Sequence, residues 1–243
     1  MNTLFTFGCS FTEDFREVPN NTGQSVYVRD YLKGEIPDAW PTVLSKLLGF
    51  NVENYGKGGS SNYEIFDRIC SHCDEFKKDD IVIIGWTGVN RFRWANFDED
   101  KWNHIIPNHN SKIHNEVYIT NNTLNEILVN REHDLYVDEI YKFQKMIDQL
   151  SKSGGFTVYY WAMDNRLINN LSSDLLKDKK YICGEAIGQD VSIPKLINMY
   201  GGKTIVDETN NLIIDYHYGK TGHQVQGELF YKHIKNEHIV CIW

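Results

Sequence analysis

The stretch DIVIIG, from Asp80 to Gly85, is the clearest strand signal in the chain. It is a near-continuous apolar run that begins after an acidic residue and stops at a glycine. Runs of this kind are typical of strands that a parallel sheet buries on both faces. The stretch therefore predicts the buried centre of a parallel sheet that is covered by helices.

On either side of this run, strand-like stretches alternate with helical ones. Further strands are predicted at Leu4–Phe7, Asn51–Tyr55, Phe156–Trp161 and Lys203–Val206. Helices are predicted at Ala39–Leu48, Tyr63–Phe76, Leu135–Leu150 and Gly227–Lys235. The alternation predicts an α/β fold whose central parallel sheet has about five strands. In such sheets, functional sites collect at the carboxyl ends of the strands, so the turns after the first three strands are the places to search.

The composition fits one globular domain over residues 1–243, since 41% of the residues are hydrophobic and 24% are charged. A net charge of -8 disfavours nucleic acid and anionic membrane surfaces as partners. No apolar stretch approaches the roughly 18 residues of a transmembrane helix, and the N-terminus lacks the pattern of a signal peptide. We therefore expect a cytoplasmic protein without membrane insertion; the sequence leaves its oligomeric state open.

Residues 91–134 interrupt the alternation. This stretch is rich in Asn, His, Asp and Trp and shows little periodicity, apart from a hairpin signal near Glu116–Thr120. Structureless loops of this length are uncommon inside a compact domain. We interpret the stretch as an insertion near the edge of the site, which either contacts substrate or elaborates the surface.

The five cysteines form an odd set at irregular spacing, which argues against a disulfide framework and fits a reducing compartment. Cys70 and Cys73 form a C-x-x-C pair, but neither a second cysteine pair nor an H-x-x-x-H motif completes a zinc set. Because Ile65, Ile69 and Cys73 fall at helical spacing, we expect the pair to serve helix packing. The sequence implies no metal and no organic cofactor.

The first candidate block, Gly8-Cys9-Ser10-Phe11, follows the first strand. On the simpler interpretation, Gly8 makes the turn and Ser10 or Thr12 caps a following helix. On the functional interpretation, Ser10 is a catalytic nucleophile that is held where a parallel strand ends. The block alone does not decide between the two.

Three further blocks follow in chain order. Residues 54–62 read NYGKGGSSN after the second strand, residues 85–91 read GWTGVNR after the third, and residues 215–223 read DYHYGKTGH near the C-terminus. Taken singly, they are compatible with a flexible turn, an asparagine in a turn, and a surface or metal-binding pair. The glycine-rich block lacks the spacing of a P-loop or of a dinucleotide-binding motif.

Together, the four blocks resemble the SGNH/GDSL hydrolase family. The resemblance spans nearly the whole chain except residues 92–155, and it implies a flavodoxin-like three-layer α/β/α sandwich. It also implies that Ser10 is the nucleophile and that its own N–H faces the oxyanion. Gly59 corresponds to the second backbone donor of the oxyanion hole and Asn90 to the side-chain donor. His217 corresponds to the base and Asp215 to the carboxylate that orients it.

Two of the blocks depart from the family pattern. Cys9 stands where the family often has aspartate, but adjacent side chains of an extended segment point to opposite sides, and the block favours Ser10 as the residue that faces the cleft. Arg91 replaces the aspartate that often follows Asn90. Thr87 is an alternative polar contributor, and we name Thr87 and Arg91 as candidate substrate contacts.

The last block departs in its spacing. Asp215 and His217 are two positions apart, whereas three is the common spacing in the family. A bulged turn would still bring them together. Otherwise Asp207 orients His217, or His217 acts without a carboxylate in a dyad. His223 is the fallback base.

The sequence therefore predicts a serine esterase that hydrolyses carboxylic esters through an acyl-enzyme. The family resemblance implies a small-molecule or glycan ester with small O-acyl groups, often acetyl on sugars, or a lipid ester. Aromatic and amide side chains in the insertion favour a carbohydrate-bearing substrate among these. One rival is a catalytically lapsed SGNH-fold module that binds glycans. Another is a flavodoxin-like protein that binds phosphate or nucleotide at the Ser10 turn.

Overall fold

The computed structural model describes residues 1–17, 36–88, 92–96, 101–105, 133–163, 180–182, 203–206, 212–215 and 220–236. In chain order, the strands are β1 (Thr3–Gly8), β2 (Asn51–Gly56), β3 (Ile81–Trp86), β4 (Phe92–Asn96), β5 (Lys101–Ile105), β6 (Thr157–Ala162), β7 (Lys203–Val206) and β8 (Leu212–Asp215). The α-helices are α1 (Trp40–Leu48), α2 (Asn62–His72), α3 (His133–Gly154) and α4 (Lys220–Ile234). Short 3-10 helices cover Phe15–Glu17 and Cys73–Glu75.

The central sheet has the strand order β2-β1-β3-β6, and every neighbouring pair in it is parallel. Gly8 at the end of β1 pairs with Gly56 at the end of β2. Phe7 pairs with Ile84 of β3. The first three strands therefore end together at one edge of the sheet.

Helices cover both faces of this sheet, and alternate side chains of each strand point to opposite faces. One face packs against α2 and α3, and its buried residues include Phe5, Phe7, Ile65, Ile69, Val82, Ile84, Ile140 and Ile147. The other face packs against α1 and α4, and its buried residues include Leu4, Trp40, Leu44, Ile81, Ile83, Trp161, Leu229 and Phe230. The predicted three-layer α/β/α sandwich is confirmed.

The helix ends follow local sequence signals. Pro41 lies in the first turn of α1, and Gly49 ends that helix in the left-handed conformation at a φ of 71°. A capping box starts α2, because the Ser61 hydroxyl accepts from the Glu64 N–H and the Glu64 carboxylate accepts from the Ser61 N–H. In the described ranges, no helix is both long enough and apolar enough to cross a membrane.

Several elements differ in detail from the sequence prediction. The strand at Lys203–Val206 forms, but it pairs antiparallel with Leu212–Asp215 in a separate two-stranded sheet. The central sheet thus has four strands within the described residues. A hairpin of Phe92–Asn96 and Lys101–Ile105 lies in the predicted insertion. The hairpin signal near residues 116–120 falls outside the described residues.

One member of the C-x-x-C pair packs as the spacing predicts. Ile65 and Ile69 are buried in the core, and Cys73 packs against the same cluster while half-buried. Cys70 is exposed, and neither cysteine forms a disulfide. A role in packing is therefore confirmed for Cys73 and not for Cys70.

Candidate active site

The turn after β1 carries Ser10 at the carboxyl edge of the sheet. The carbonyl oxygen of Cys9 accepts hydrogen bonds from the N–H groups of Thr12, at 2.8 Å, and Glu13, at 3.1 Å. These two hydrogen bonds form a tight turn immediately after β1. Ser10 lies inside this turn and is 6% exposed.

Gly8 permits this turn because Thr12 packs against it. A Cβ atom on Gly8 would lie 2.2 Å from the Thr12 hydroxyl oxygen, and Gly56 has a similar constraint because its Cβ would lie 2.6 Å from the Glu13 nitrogen. Both contacts are far shorter than side-chain packing tolerates. The turn therefore sits directly against the ends of β1 and β2, and glycine is needed at both places.

The Asn54 side chain joins the turn to the sheet. Its Oδ1 accepts from the Thr6 hydroxyl at 2.9 Å and from the Gly56 N–H at 3.0 Å. Its Nδ2 donates to the Thr12 carbonyl at 2.7 Å. One amide thus holds β1, β2 and the Ser10 turn together.

The loop after β2 places Gly59 at the same edge. Gly59 has a φ of 76°, and no atom lies within 4 Å of the position that its Cβ would take. The Lys57 N–H donates to the Gly8 carbonyl at 3.1 Å, which fixes the start of this loop against the end of β1. A side chain at Gly59 would therefore enter open space, and the loop that carries Gly59 starts against the end of β1.

The segment after β3 is held by α2. The Asn62 Oδ1 accepts from the Thr87 N–H at 2.8 Å, and the Asn62 Nδ2 donates to the Thr87 carbonyl at 3.1 Å. Thr87 is fully buried, and its hydroxyl donates to the Met163 sulfur at 3.2 Å. Its proposed contact with substrate stays a prediction.

Cys9 points into the core, away from the open edge. It is 1% exposed and belongs to the apolar cluster on the face of α1 and α4. Its thiol donates to the Met163 sulfur at 3.5 Å. Cys9 therefore lies where the sequence analysis expects it, and the direction of the Ser10 side chain stays a prediction.

Arg68 on α2 is a site residue that the sequence analysis missed. Its Nη2 donates to the Gly8 carbonyl and to the Ser60 hydroxyl. Burial lowers the pKa of the guanidinium, because removal from water disfavours the charged form, while the charge of Glu64 opposes that shift. A sequence signal was present, since Arg68 follows the buried Ile65 by three positions and thus places a charge near the buried face of the helix.

Four of the other predicted site residues fall outside the described residues: Asn90, Arg91, Asp207 and His217. Asp215 is the last residue of β8. His223 lies in the first turn of α4, where it is 2% exposed and its Nδ1 lies 3.3 Å from the Trp40 N–H, which donates to it. The structure thus brings Ser10 and Gly59 to one edge, and the other assignments stay predictions.

The described residues also include no group of three or more His, Cys, Asp or Glu side chains that could hold a metal ion. The described edge offers a serine in the tight turn after β1 and a glycine with a left-handed backbone in the loop after β2. These groups suit attack by a hydroxyl oxygen and binding of an anionic oxygen by N–H donors.

Comparison with known proteins finds similarity among solved structures. The first is a protein assigned to the G-D-S-L family of lipolytic proteins from Desulfitobacterium hafniense DCB-2, with 12% identity over 96% of this chain and 99% of that chain, at a TM-score of 0.47. A catalytic mutant of the acetylxylan esterase Axe2 from Geobacillus stearothermophilus has 13% identity over 98% and 96% of the two chains, at a TM-score of 0.34. A second mutant of Axe2 has 15% identity over the same shares, at a TM-score of 0.31. No protein-family model and no curated protein sequence matches the chain. The function is therefore inferred from the residues of the site.

Proposed function

We propose that this protein is a serine ester hydrolase that acts through an acyl-enzyme formed on Ser10. The observation that carries the proposal is the pairing of two features at one edge of the sheet. Ser10 lies in the tight turn after β1, and Gly59 lies in the loop after β2, which is bonded to the end of β1 through the Lys57 N–H and the Gly8 carbonyl. Acyl transfer needs a hydroxyl nucleophile and N–H donors that converge on one carbonyl group.

In the proposed reaction, the Ser10 oxygen attacks the carbonyl carbon of the ester while His217 takes the hydroxyl proton. The N–H groups of Ser10 and Gly59 and the Asn90 side chain donate to the oxyanion that forms. The intermediate then collapses, and the alcohol leaves with the proton that His217 held. Water attacks the acyl-enzyme in the same way, which releases the carboxylic acid and restores Ser10.

Each residue type has a defined chemical role. A serine hydroxyl is a weak nucleophile until a neutral imidazole accepts its proton, and a carboxylate such as Asp215 fixes the imidazole tautomer. Removal of one oxyanion donor typically costs about 3–4 kcal/mol of transition-state stabilisation. We propose small O-acyl groups as the acyl part, with carbohydrate as one class of alcohol, because the insertion is rich in Trp and Asn.

The test combines turnover with covalent labelling. Hydrolysis of p-nitrophenyl acetate, p-nitrophenyl butyrate and an acetylated oligosaccharide is measured for the wild type, Ser10→Ala and His217→Ala. We expect each substitution to lower kcat by at least about a hundredfold. A fluorophosphonate probe should add one label to the wild type, by intact mass, and none to Ser10→Ala.

Cys9→Ala is the matched control, because Cys9 is the adjacent nucleophilic residue and its thiol lies in the core. It should keep the label and most of the turnover. Turnover that survives in Ser10→Ala would contradict the proposal. An unlabelled, inert wild type that binds the oligosaccharide would favour the lapsed glycan-binding module instead.

A further inference from the structure

The Arg68 guanidinium links the two segments that carry the proposed oxyanion donors. Its Nη2 donates to the Gly8 carbonyl at 3.1 Å and to the Ser60 hydroxyl at 2.8 Å. Gly8 lies two positions before Ser10, and Ser60 directly follows Gly59. One nitrogen atom therefore bonds the backbone of the first segment and a side chain of the second.

Further hydrogen bonds make this link rigid. The Gly8 carbonyl also accepts from the Lys57 N–H at 3.1 Å. The Ser60 hydroxyl, which accepts from Arg68, donates in turn to the Lys57 carbonyl at 2.7 Å. The loop from Lys57 to Ser60 is thus fastened to the end of β1 both through its own backbone and through Arg68.

Partial burial of the Arg68 guanidinium at this position is energetically unfavourable. The guanidinium is half-buried, and its Nε is buried without a hydrogen-bond partner in the described part of the chain. An apolar side chain would fill the same space on α2 without that loss. The contacts that Nη2 makes are therefore the feature of Arg68 that packing alone does not explain.

We propose that Arg68 is a positioning residue, which sets the spacing between the Ser10 and Gly59 backbone donors by holding Gly8 and Ser60 together. The inference rests on the proposed esterase function. Because donors of an oxyanion hole act on charge that develops in the transition state, a change in their spacing alters kcat. Binding of the ground-state ester changes little, so KM stays close to the wild-type value.

The variant Arg68→Met removes the hydrogen bonds but keeps an unbranched side chain of similar reach. We expect kcat per labelled Ser10 to fall by roughly 10- to 100-fold, as for a misplacement of about 1 Å, with KM within about threefold of the wild type. Arg68→Lys should restore a large part of the loss, because both hydrogen bonds come from one nitrogen. Ser60→Ala removes one acceptor and should cause a smaller fall in kcat.

Lys46→Met is the matched control, because Lys46 is an ion-paired cation that lies on α1 and is 65% exposed. Its kcat should stay within about twofold of the wild type. Active sites are counted with the fluorophosphonate probe, and melting temperatures are measured for every variant. Loss of folded protein therefore appears as fewer labelled sites, and kcat per labelled site is unaffected by it.

The outcomes separate this inference from the proposed function. If Ser10→Ala is inert and Arg68→Met matches the wild type in kcat per site, the role of Arg68 is wrong while the esterase stands. A rise in KM alone, or fewer labelled sites at unchanged kcat, also overturns it. If Arg68→Met does not fold, Ser60→Ala decides, since an unchanged kcat in that variant overturns the inference. If the wild type is neither active nor labelled, the esterase proposal fails and the role of Arg68 fails with it.

Discussion

Gly59 and Gly49 provide a matched pair at the scale of single residues. Their φ angles are 76° and 71°, and neither has an atom within 4 Å of the position that a Cβ would take. Alanine would meet no clash at either position, but the left-handed backbone is unfavourable for any residue with a Cβ. Gly49 ends α1, whereas Gly59 is the residue that we propose as an oxyanion donor.

Alanine at each position should therefore cost similar stability but different activity. We expect Gly49→Ala and Gly59→Ala each to lower the free energy of unfolding by about 1–2 kcal/mol, measured by urea denaturation. Gly59→Ala should also lower kcat by roughly 10- to 100-fold, because relaxation of φ turns its N–H away from the oxyanion. Equal turnover in the two variants would remove Gly59 from the proposed oxyanion hole.

The sequence marked Ser10 and Gly59 as candidates because four short blocks together resemble a known family and two of them directly follow strands. It did not name Arg68, whose acceptor on Gly8 is 60 positions away along the chain. The spacing from Ile65 indicates a charge near the buried face of α2, but the partner of that charge is known only from the fold. The sequence thus indicated candidate reacting groups and missed a side chain that contacts their segments.

At the scale of elements, Asn54 shows how a strand can organise the site at its end. Its side-chain amide bonds to Thr6 in β1, to Gly56 in its own strand and to Thr12 in the turn that carries Ser10. Thr6 and Thr12 are fully buried. A buried polar group that loses its hydrogen-bond partner destabilises the folded state, so we expect substitution of Asn54 to lower the stability of the protein.

We expect Asn54→Ala to lower the free energy of unfolding by about 2–4 kcal/mol, because three partly buried hydrogen bonds are lost, two of them to the buried Thr6 and Thr12. Glu53→Ala is the control, since Glu53 is the exposed neighbour on the same strand. It should change stability by less than about 0.5 kcal/mol. Similar urea midpoints for the two variants would show that the Asn54 junction contributes little.

Helix α4 shows why element boundaries were harder to predict. The sequence predicts its start at Gly227, but the helix begins at Lys220. Gly222 and Gly227 lower the helix propensity of this stretch. Packing explains the difference, because a Cβ on Gly227 would lie 2.7 Å from Val43 of α1, so the glycine allows the two helices to approach closely. Tertiary contact of this kind outweighs local propensity.

At the scale of the whole molecule, the strands join two apolar layers into one structure. Each central strand contributes alternate residues to both layers, as Ile83 and Ile84 of β3 do. If one layer no longer packs against β3, the strand is no longer held in position for packing against the other layer. The alternation of short apolar strands predicted this arrangement, because a strand that is buried on both faces must be covered twice.

Because the central strands contribute residues to both layers, we predict that the two layers unfold together, as expected for one domain. Leu44→Ala and Ile69→Ala each truncate a fully buried side chain, on opposite faces of the sheet. Each should lower the free energy of unfolding by about 2–5 kcal/mol.

Urea unfolding is followed by tryptophan fluorescence and by far-UV circular dichroism, and the two midpoints should coincide in the wild type and in each variant. If either variant unfolded in two separate transitions, one for each layer, the layers would be independent, and the prediction of a single domain would be wrong. Coincident shifts are expected because the sheet transmits the loss of either layer to the other.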